Sequence, residues 1–206
     1  MLPYNIMQTS NHSTVFLRGP VPLTHLLLQQ HLQPGCLAVD ATCGNGKDTL
    51  EMARLVGENG HVWGIDIQQP AIERTAGRLE EAGVSQRVTL INASHEQLAE
   101  LVQAQVHVVI FNLGWLPGGE KELVTQPKTT LQALQGALRI LKPGGMLLIT
   151  CYPGHDGGAT EAAAVVDWCS GLSPRSHHVW RMGQLNVAEG APFCLLVQDS
   201  RTNNVR

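Results

Sequence analysis

The chain has 206 residues, 43% of them hydrophobic and 15% charged. That is enough for one sizeable core and argues against a disordered chain. The formal charge of −3 gives no global electrostatic case for nucleic acid. It leaves room for one local basic face. Five cysteines (Cys36, Cys43, Cys151, Cys169 and Cys194) contain no C-x-x-C pair. Neither a disulfide framework nor a zinc knuckle is indicated, and free thiols in a reducing cytoplasm are the simplest reading. No apolar run is long enough to span a bilayer, and Met1 to Ser13 lacks the pattern of a signal peptide.

Taken in order, residues 1–20 read as an irregular, mobile N-terminal extension, and 21–206 as a single domain. Pro22 opens a predicted helix over Val21–Leu32, closed by Pro34-Gly35. Strand-length apolar runs follow at Cys36–Ala41, His61–Ile67, Val88–Asn92, Val106–Asn112 and Met146–Tyr152. Between and after them lie helical patterns at Lys47–Val56, Pro70–Ala82, Glu96–Gln103, Thr129–Leu141 and Thr160–Ser170. Continuous apolar strands alternating with helices predict a parallel sheet covered on both faces. His177–Met182 and Phe193–Gln198 then form a β-pair with no helix between. The expected fold is α/β: a doubly wound, seven-stranded, mostly parallel sheet. Five β/α units followed by such a pair is the order of class I methyltransferases, a Rossmann-like fold.

The first strand runs into Asp40-Ala41-Thr42-Cys43-Gly44-Asn45-Gly46. In open α/β sheets ligands bind outside the carboxyl ends of the strands, where the strand order reverses, and this turn is placed there. Gly44 and Gly46 permit a sharp bend and a close ligand approach. A dinucleotide fingerprint would need a third glycine where Thr49 stands. The acidic Asp40 suits a cation better than a pyrophosphate. The second strand ends at Asp66, whose carboxylate is placed to accept ribose hydroxyls, and Ile67 could pack on an adenine face. Ser94 is placed as a helix N-cap with Gln97 three residues on. His95 fits equally a nucleotide pocket and a first helical turn.

The fourth strand leads to Asn112-Leu113-Gly114-Trp115-Leu116-Pro117-Gly118-Gly119. Asn-x-x-aromatic resembles in form the Asn-Pro-Pro-aromatic tetrad of amino methyltransferases. An Asn oxygen can accept hydrogen bonds from an amine and an aromatic ring can stack on a base. The fifth strand ends at Cys151-Tyr152, before a second glycine-rich loop carrying His155 and Asp156. These two and Glu120 are candidate proton acceptors. Cys151 invites a covalent pyrimidine mechanism, but a lone cysteine ending an apolar strand reads as packing. The histidines show no metal-ligand spacing, so no metal is expected.

The segments around Gly44, Asp66, Ser94 and Asn112 together resemble one family, labelled "putative rRNA methylase". Its characterised members methylate the amine of 5-aminomethyl-2-thiouridine at the tRNA wobble position. The resemblance runs over about residues 21–199. It implies S-adenosylmethionine as cofactor, held by Gly44, Asn45, Asp48, Thr49, Asp66, Gln68, Ser94 and His95. The turn adds Asp40, Thr42 and Gly46, and Ile67 and Asn112 complete the expected pocket. It implies a methyl-transfer edge at Asn112, Gly114 and the loop to Gly119; Trp115, His155 and Asp156 join it as catalytic candidates from the residues themselves. Trp115 stands where the family often has Tyr, and Pro153 where it often has His. The anticodon region of tRNA is the implied substrate, with Arg175, Arg181 and Lys121 as a local phosphate-binding edge. An rRNA or a small amine is the alternative target, and a homodimer is compatible with this reading.

Overall fold

The computed structural model describes residues 16–114 and 125–201. The expected extension therefore lies mostly outside the described residues, as do Trp115, Glu120, Lys121 and the run from Leu116 to Gly119.

Helix α1 (Pro20–His31) precedes strand β1 (Leu37–Asp40). Then come α2 (Lys47–Val56), β2 (His61–Asp66), α3 (Gln69–Glu81), β3 (Val88–Asn92) and the one-turn α4 (Leu98–Leu101). The chain continues through β4 (Val106–Leu113), α5 (Pro127–Ile140), β5 (Leu141–Cys151) and α6 (Gly158–Ser170), and ends with β6 (His177–Gly183) and β7 (Phe193–Asp199). The seven strands lie in the order β3-β2-β1-β4-β5-β7-β6. β1 to β5 run parallel, while β7 pairs antiparallel with β5 and with β6. This is the doubly wound sheet that the sequence predicts.

Alternation along the strands divides the core in two, because successive side chains point to opposite faces. Val39, Val109, Leu147 and Val197 belong to one apolar cluster, with Leu134 and Ala137 of α5 and Val165 of α6. Ala38, Val108, Leu148 and Cys194 belong to the other, with Leu28 of α1, Met52 of α2 and Leu79 of α3. Both faces are dry, which is why the central strands carry no polar alternation.

Two elements differ from expectation. In place of a helix over Glu96–Gln103, a 3-10 turn at His95–Gln97 runs into the single turn of α4. Val102 already adopts an extended conformation and is fully buried, feeding the chain directly into β4. The Ser94 capping box does not form. The Ser94 side chain makes no cap bond; its carbonyl instead accepts the Gln97 amide at 3.1 Å, the short-range pattern of a 3-10 turn. β5 begins five residues earlier than predicted because Lys142-Pro143-Gly144-Gly145 enters the sheet through a register shift between Val106 and Val108. A Cβ at Gly145 would lie 2.9 Å from the His107 carbonyl oxygen, so only glycine fits that close approach.

Candidate active site

The turn after β1 is held from outside. Gly44 and Gly46 have φ of 51° and 73°, the left-handed region where glycine carries no steric penalty. A Cβ at Gly46 would meet Thr75 Oγ1 of α3 at 2.8 Å. Gly44 N donates to Asp66 Oδ2 at 2.8 Å, and Thr75 Oγ1 donates to the Gly44 carbonyl at 3.0 Å. Arg74 and Arg78 of α3 donate to the Asn45 side chain and carbonyl. The other Asp66 oxygen accepts the Gln68 amide at 2.9 Å. Asn92, ending β3, donates its amide to the carbonyls of Asp66 and Ile67.

A cavity of about 770 Å³ opens along this carboxyl edge of the sheet. From the first loop it is lined by Thr42, Gly44, Asn45 and Asp48; from the second by Asp66, Ile67 and Gln68; from the third by Ser94 and His95. Asn112 and Gly114 line it from the end of β4. Ile67 is 58% exposed, an apolar side chain displayed at a cavity wall. His95 packs edge-to-face on Phe111, centroids 5.9 Å apart. Burial pushes its imidazole down to about 4, so the ring is neutral at physiological pH. Its Nε2 is buried with no hydrogen-bond partner among the described residues. A buried polar atom of this kind at a cavity wall suits a ligand's hydrogen-bonding edge. His95 thus both opens the 3-10 turn and lines the cavity.

Other expected contacts stand behind the wall. Asp40 is fully buried and accepts Thr49 Oγ1 at 2.6 Å and the Thr42 amide at 3.3 Å. Asp40 is therefore not a carboxylate offered to a cation. It braces the turn, with Thr49 as its internal partner, and neither lines the cavity; nor does Gly46. Burial, with Asp48 nearby, raises the Asp40 carboxyl to about 7. Asp156 is exposed and away from the cavity lining. The His155 ring sits against Gly114 and Gly158, with Nδ1 on the Asp156 carbonyl at 2.9 Å and Nε2 buried without a partner among the described residues. Burial lifts the Cys151 thiol to about 12, so it is a packed neutral group rather than a nucleophile.

Asn112 is fixed twice. Its backbone amide donates to Thr42 Oγ1 at 2.7 Å, and its side-chain Nδ2 donates to Asp48 Oδ2 at 2.8 Å. Asp48 Oδ1 lies 2.6 Å from His25 Nε2 of α1. His25 carries no local sequence signal, because it stands in a helix ahead of the glycine turn. Val21, Lys47, Glu96, Leu113, Thr125, Gln126, Thr129 and Tyr152 also border the cavity. Of these, Leu113, inside the Asn-x-x-aromatic motif, and Tyr152, at a strand end beside a glycine-rich loop, had a readable signal. Among the described residues no cluster of three His, Cys, Asp or Glu side chains is placed to hold a metal ion. No described helix is long and apolar enough to cross a membrane.

Comparison with known proteins bears on this site. Residues 62–198 match the family model described as "Putative rRNA methylase". The chain is 44% identical over 160 residues to the chloroplastic tRNA (mnm(5)s(2)U34)-methyltransferase of Arabidopsis thaliana, covering 73% of this chain and 58% of that protein. Among solved structures it resembles a "putative rRNA-methylase" from Clostridium thermocellum, with TM-score 0.86 and 36% identity over 89% of this chain and 99% of that one. It also resembles a "putative methyltransferase" from Streptococcus mutans in complex with SAH, with TM-score 0.81 and 32% identity over 89% and 99% of the two chains. A sheet of this order, a cavity on its carboxyl edge and a family model matched across β2 to β7 lead to one conclusion: the chain belongs to the rRNA methylase family of class I methyltransferase fold.

Proposed function

We propose that this chain is an S-adenosylmethionine-dependent N-methyltransferase. Its substrate is the amine of 5-aminomethyl-2-thiouridine at the tRNA wobble position, and its product 5-methylaminomethyl-2-thiouridine. The observation that carries the reading is the arrangement of the cavity. An acid-tipped second strand, a glycine turn, a neutral buried imidazole and an Asn on the fourth strand line one cavity. The 44% identity to a tRNA (mnm(5)s(2)U34)-methyltransferase supports the substrate.

The residues present fit such a cofactor. In this reading Asp66 accepts the ribose hydroxyls, Ile67 and His95 border the adenine, and the Gly44 turn allows close backbone approach; all four line the cavity. When bound, S-adenosylmethionine supplies an electrophilic methyl group on a sulfonium. The chain's own task is to hold a neutral amine in line with that methyl and to keep water out. Asn112 is the group placed to orient the amine, and the Gly114 backbone leaves room beside it. Arg175 and Arg181, both exposed near the β6 edge, are available to phosphates of a tRNA backbone. The protein acts in the cytoplasm in this reading.

Mass spectrometry of nucleosides tests it. Purified protein and S-adenosylmethionine are incubated with tRNA carrying unmethylated 5-aminomethyl-2-thiouridine, and a gain of one methyl on that nucleoside is expected. No gain, with cofactor binding shown by calorimetry, would discard the substrate and move the search to rRNA and small amines.

A further inference from the structure

We infer that His25 of α1 is a positioning residue for methyl transfer: through Asp48 it fixes the side-chain amide of Asn112 so that the amide oxygen is presented to the incoming amine. The inference rests on the amine-methylation reading above and adds a residue that reading does not contain.

The geometry is a chain of three side chains from three elements. Asp48 stands in the first turn of α2, and both of its oxygens are engaged. One lies 2.6 Å from His25 Nε2 and the other accepts Asn112 Nδ2 at 2.8 Å. An ionised carboxylate only accepts hydrogen bonds, so the end of the Asn112 amide that meets it is the NH2 group. The amide oxygen is thereby turned away from Asp48, on a residue that lines the cavity. The Asn112 backbone is pinned independently by Thr42 Oγ1 at 2.7 Å. Only the side-chain torsion is left for Asp48 to set.

His25 settles the carboxylate. Its hydrogen bond to Asp48 raises its proton affinity above the usual imidazole value, with the charges of Asp48 and Glu51 adding to this and burial opposing it. When protonated, the ring holds the carboxylate in a charge-assisted bond, stronger than a neutral one. The protonated ring also offsets the negative charge of Asp48, which stands near the buried Asp40 and near Tyr152. Without His25 the Asp48 carboxylate is free to rotate toward solvent, and the Asn112 amide loses the contact that decides which end faces the amine. The ring is about 29% exposed, so a small molecule from solvent can reach its place.

The consequences separate positioning from scaffolding. His25→Ala is expected to lower kcat about tenfold, since loss of orientation without loss of binding acts on turnover. The KM for tRNA and the cofactor Kd stay within about twofold of wild type. Added imidazole, or the variant His25→Gln with its neutral N–H donor, restores most of the lost rate. Asp48→Asn has a larger effect. Its oxygen goes to His25, its NH2 goes to Asn112, and Asn112 must reverse and offer NH2 to the amine. A loss of about a hundredfold is expected there, and adding His25→Ala brings no further loss because both act through one contact.

The test couples these rates to a substrate-free measurement. Titration of the His25 ring by proton NMR is expected to show a midpoint above that of a free imidazole in the wild type, and a lower one in Asp48→Asn. Equal midpoints in the two proteins would remove the linkage. An unchanged kcat in His25→Ala, or a fall in kcat matched by an equal loss of cofactor affinity and not rescued by imidazole, would overturn the positioning role. If the wild-type protein itself leaves the nucleoside unmethylated, the substrate reading fails, and the titration still decides whether His25 and Asp48 are joined.

Discussion

The two sides of the cavity are built by different means. On the side of β1, β2 and β3, most side chains act on the backbone: Asp66 takes the amides of Gly44 and Gln68, Asn92 holds the carbonyls of Asp66 and Ile67, and the Thr75 hydroxyl holds the Gly44 carbonyl. Around Asn112 and the start of α5, side chains mostly act on side chains: His25 of α1 on Asp48 of α2, Asp48 on Asn112 of β4, and Thr125 and Thr130 on Glu161 of α6. The first arrangement fixes a loop's course and suits a cofactor of constant shape. The second fixes the direction of single groups and suits a reacting atom. Substitutions on the first side are therefore expected to act on cofactor affinity, and those on the second on turnover and acceptor binding.

The largest expected effect is at Asn112. Asn112→Ala should lower kcat about a hundredfold to a thousandfold, or about 3–4 kcal/mol of barrier, the range seen when one oriented polar group is removed from a reacting centre. Cofactor Kd should change by less than about threefold. Single-turnover methyl transfer and calorimetry measure the two. Equal losses in both would erase the distinction between the sides. On the opposite wall, Asp66→Ala should weaken cofactor binding tenfold to a hundredfold, about 1–3 kcal/mol. It removes an acceptor for ligand hydroxyls and frees the Gly44 and Gln68 amides. An unchanged Kd would remove Asp66 from the pocket.

Asp40 sharpens the comparison differently, because it supports the cofactor side without touching the cavity. Its carboxyl is raised to about 7 in the folded chain from an ordinary value of 3.8. Between those values the folded state binds the extra proton. The contribution of this group is therefore full below the unfolded value and is lost as pH rises through the folded one. From pH 5 to pH 7 the loss is about 2 kcal/mol. Asp40→Asn removes the titration while keeping an oxygen for Thr49, so its stability should be flatter over that window. Denaturant midpoints at pH 5, 6, 7 and 8 decide it, and an identical slope in both proteins would mean that another group titrates.

The same contrast explains what could be read from the sequence. The glycine turn and Asp66 were legible because the β1–α2 turn is written in contiguous residues and a strand-end acid has a fixed place in this topology. The course of the sheet was legible because buried strands show as apolar runs. What was hidden is pairing at a distance. Asp48 and Asn112 are 64 residues apart, and His25 and Asp48 are 23 apart; nothing local marks either as a partner. Asp40 misled for a related reason. A strand-end carboxylate looks the same in sequence whether it faces a ligand or a threonine in the first turn of α2. The short α4 was hidden because the pattern over 96–103 suits a helix, and only the burial of Val102 against the sheet ends it early.

Glu161 provides the smallest and most selective change. It is 2% exposed in the first turn of α6, and its two oxygens accept the hydroxyls of Thr125 and Thr130, the latter at 2.6 Å. Thr125 borders the cavity and its amide reaches the Gly114 carbonyl at 3.4 Å, so Glu161 anchors the start of α5 to the acceptor side. Glu161→Gln keeps the shape but leaves one oxygen and one NH2. One threonine still donates to the amide oxygen, and the other must turn and accept from the NH2. The expected cost is about 1 kcal/mol of stability, read from the denaturant midpoint. The acceptor KM should rise about twofold to threefold, and cofactor Kd should be unchanged. A shift in cofactor Kd with no change in acceptor KM would show that Glu161 supports the opposite wall, and that the two sides are not built separately.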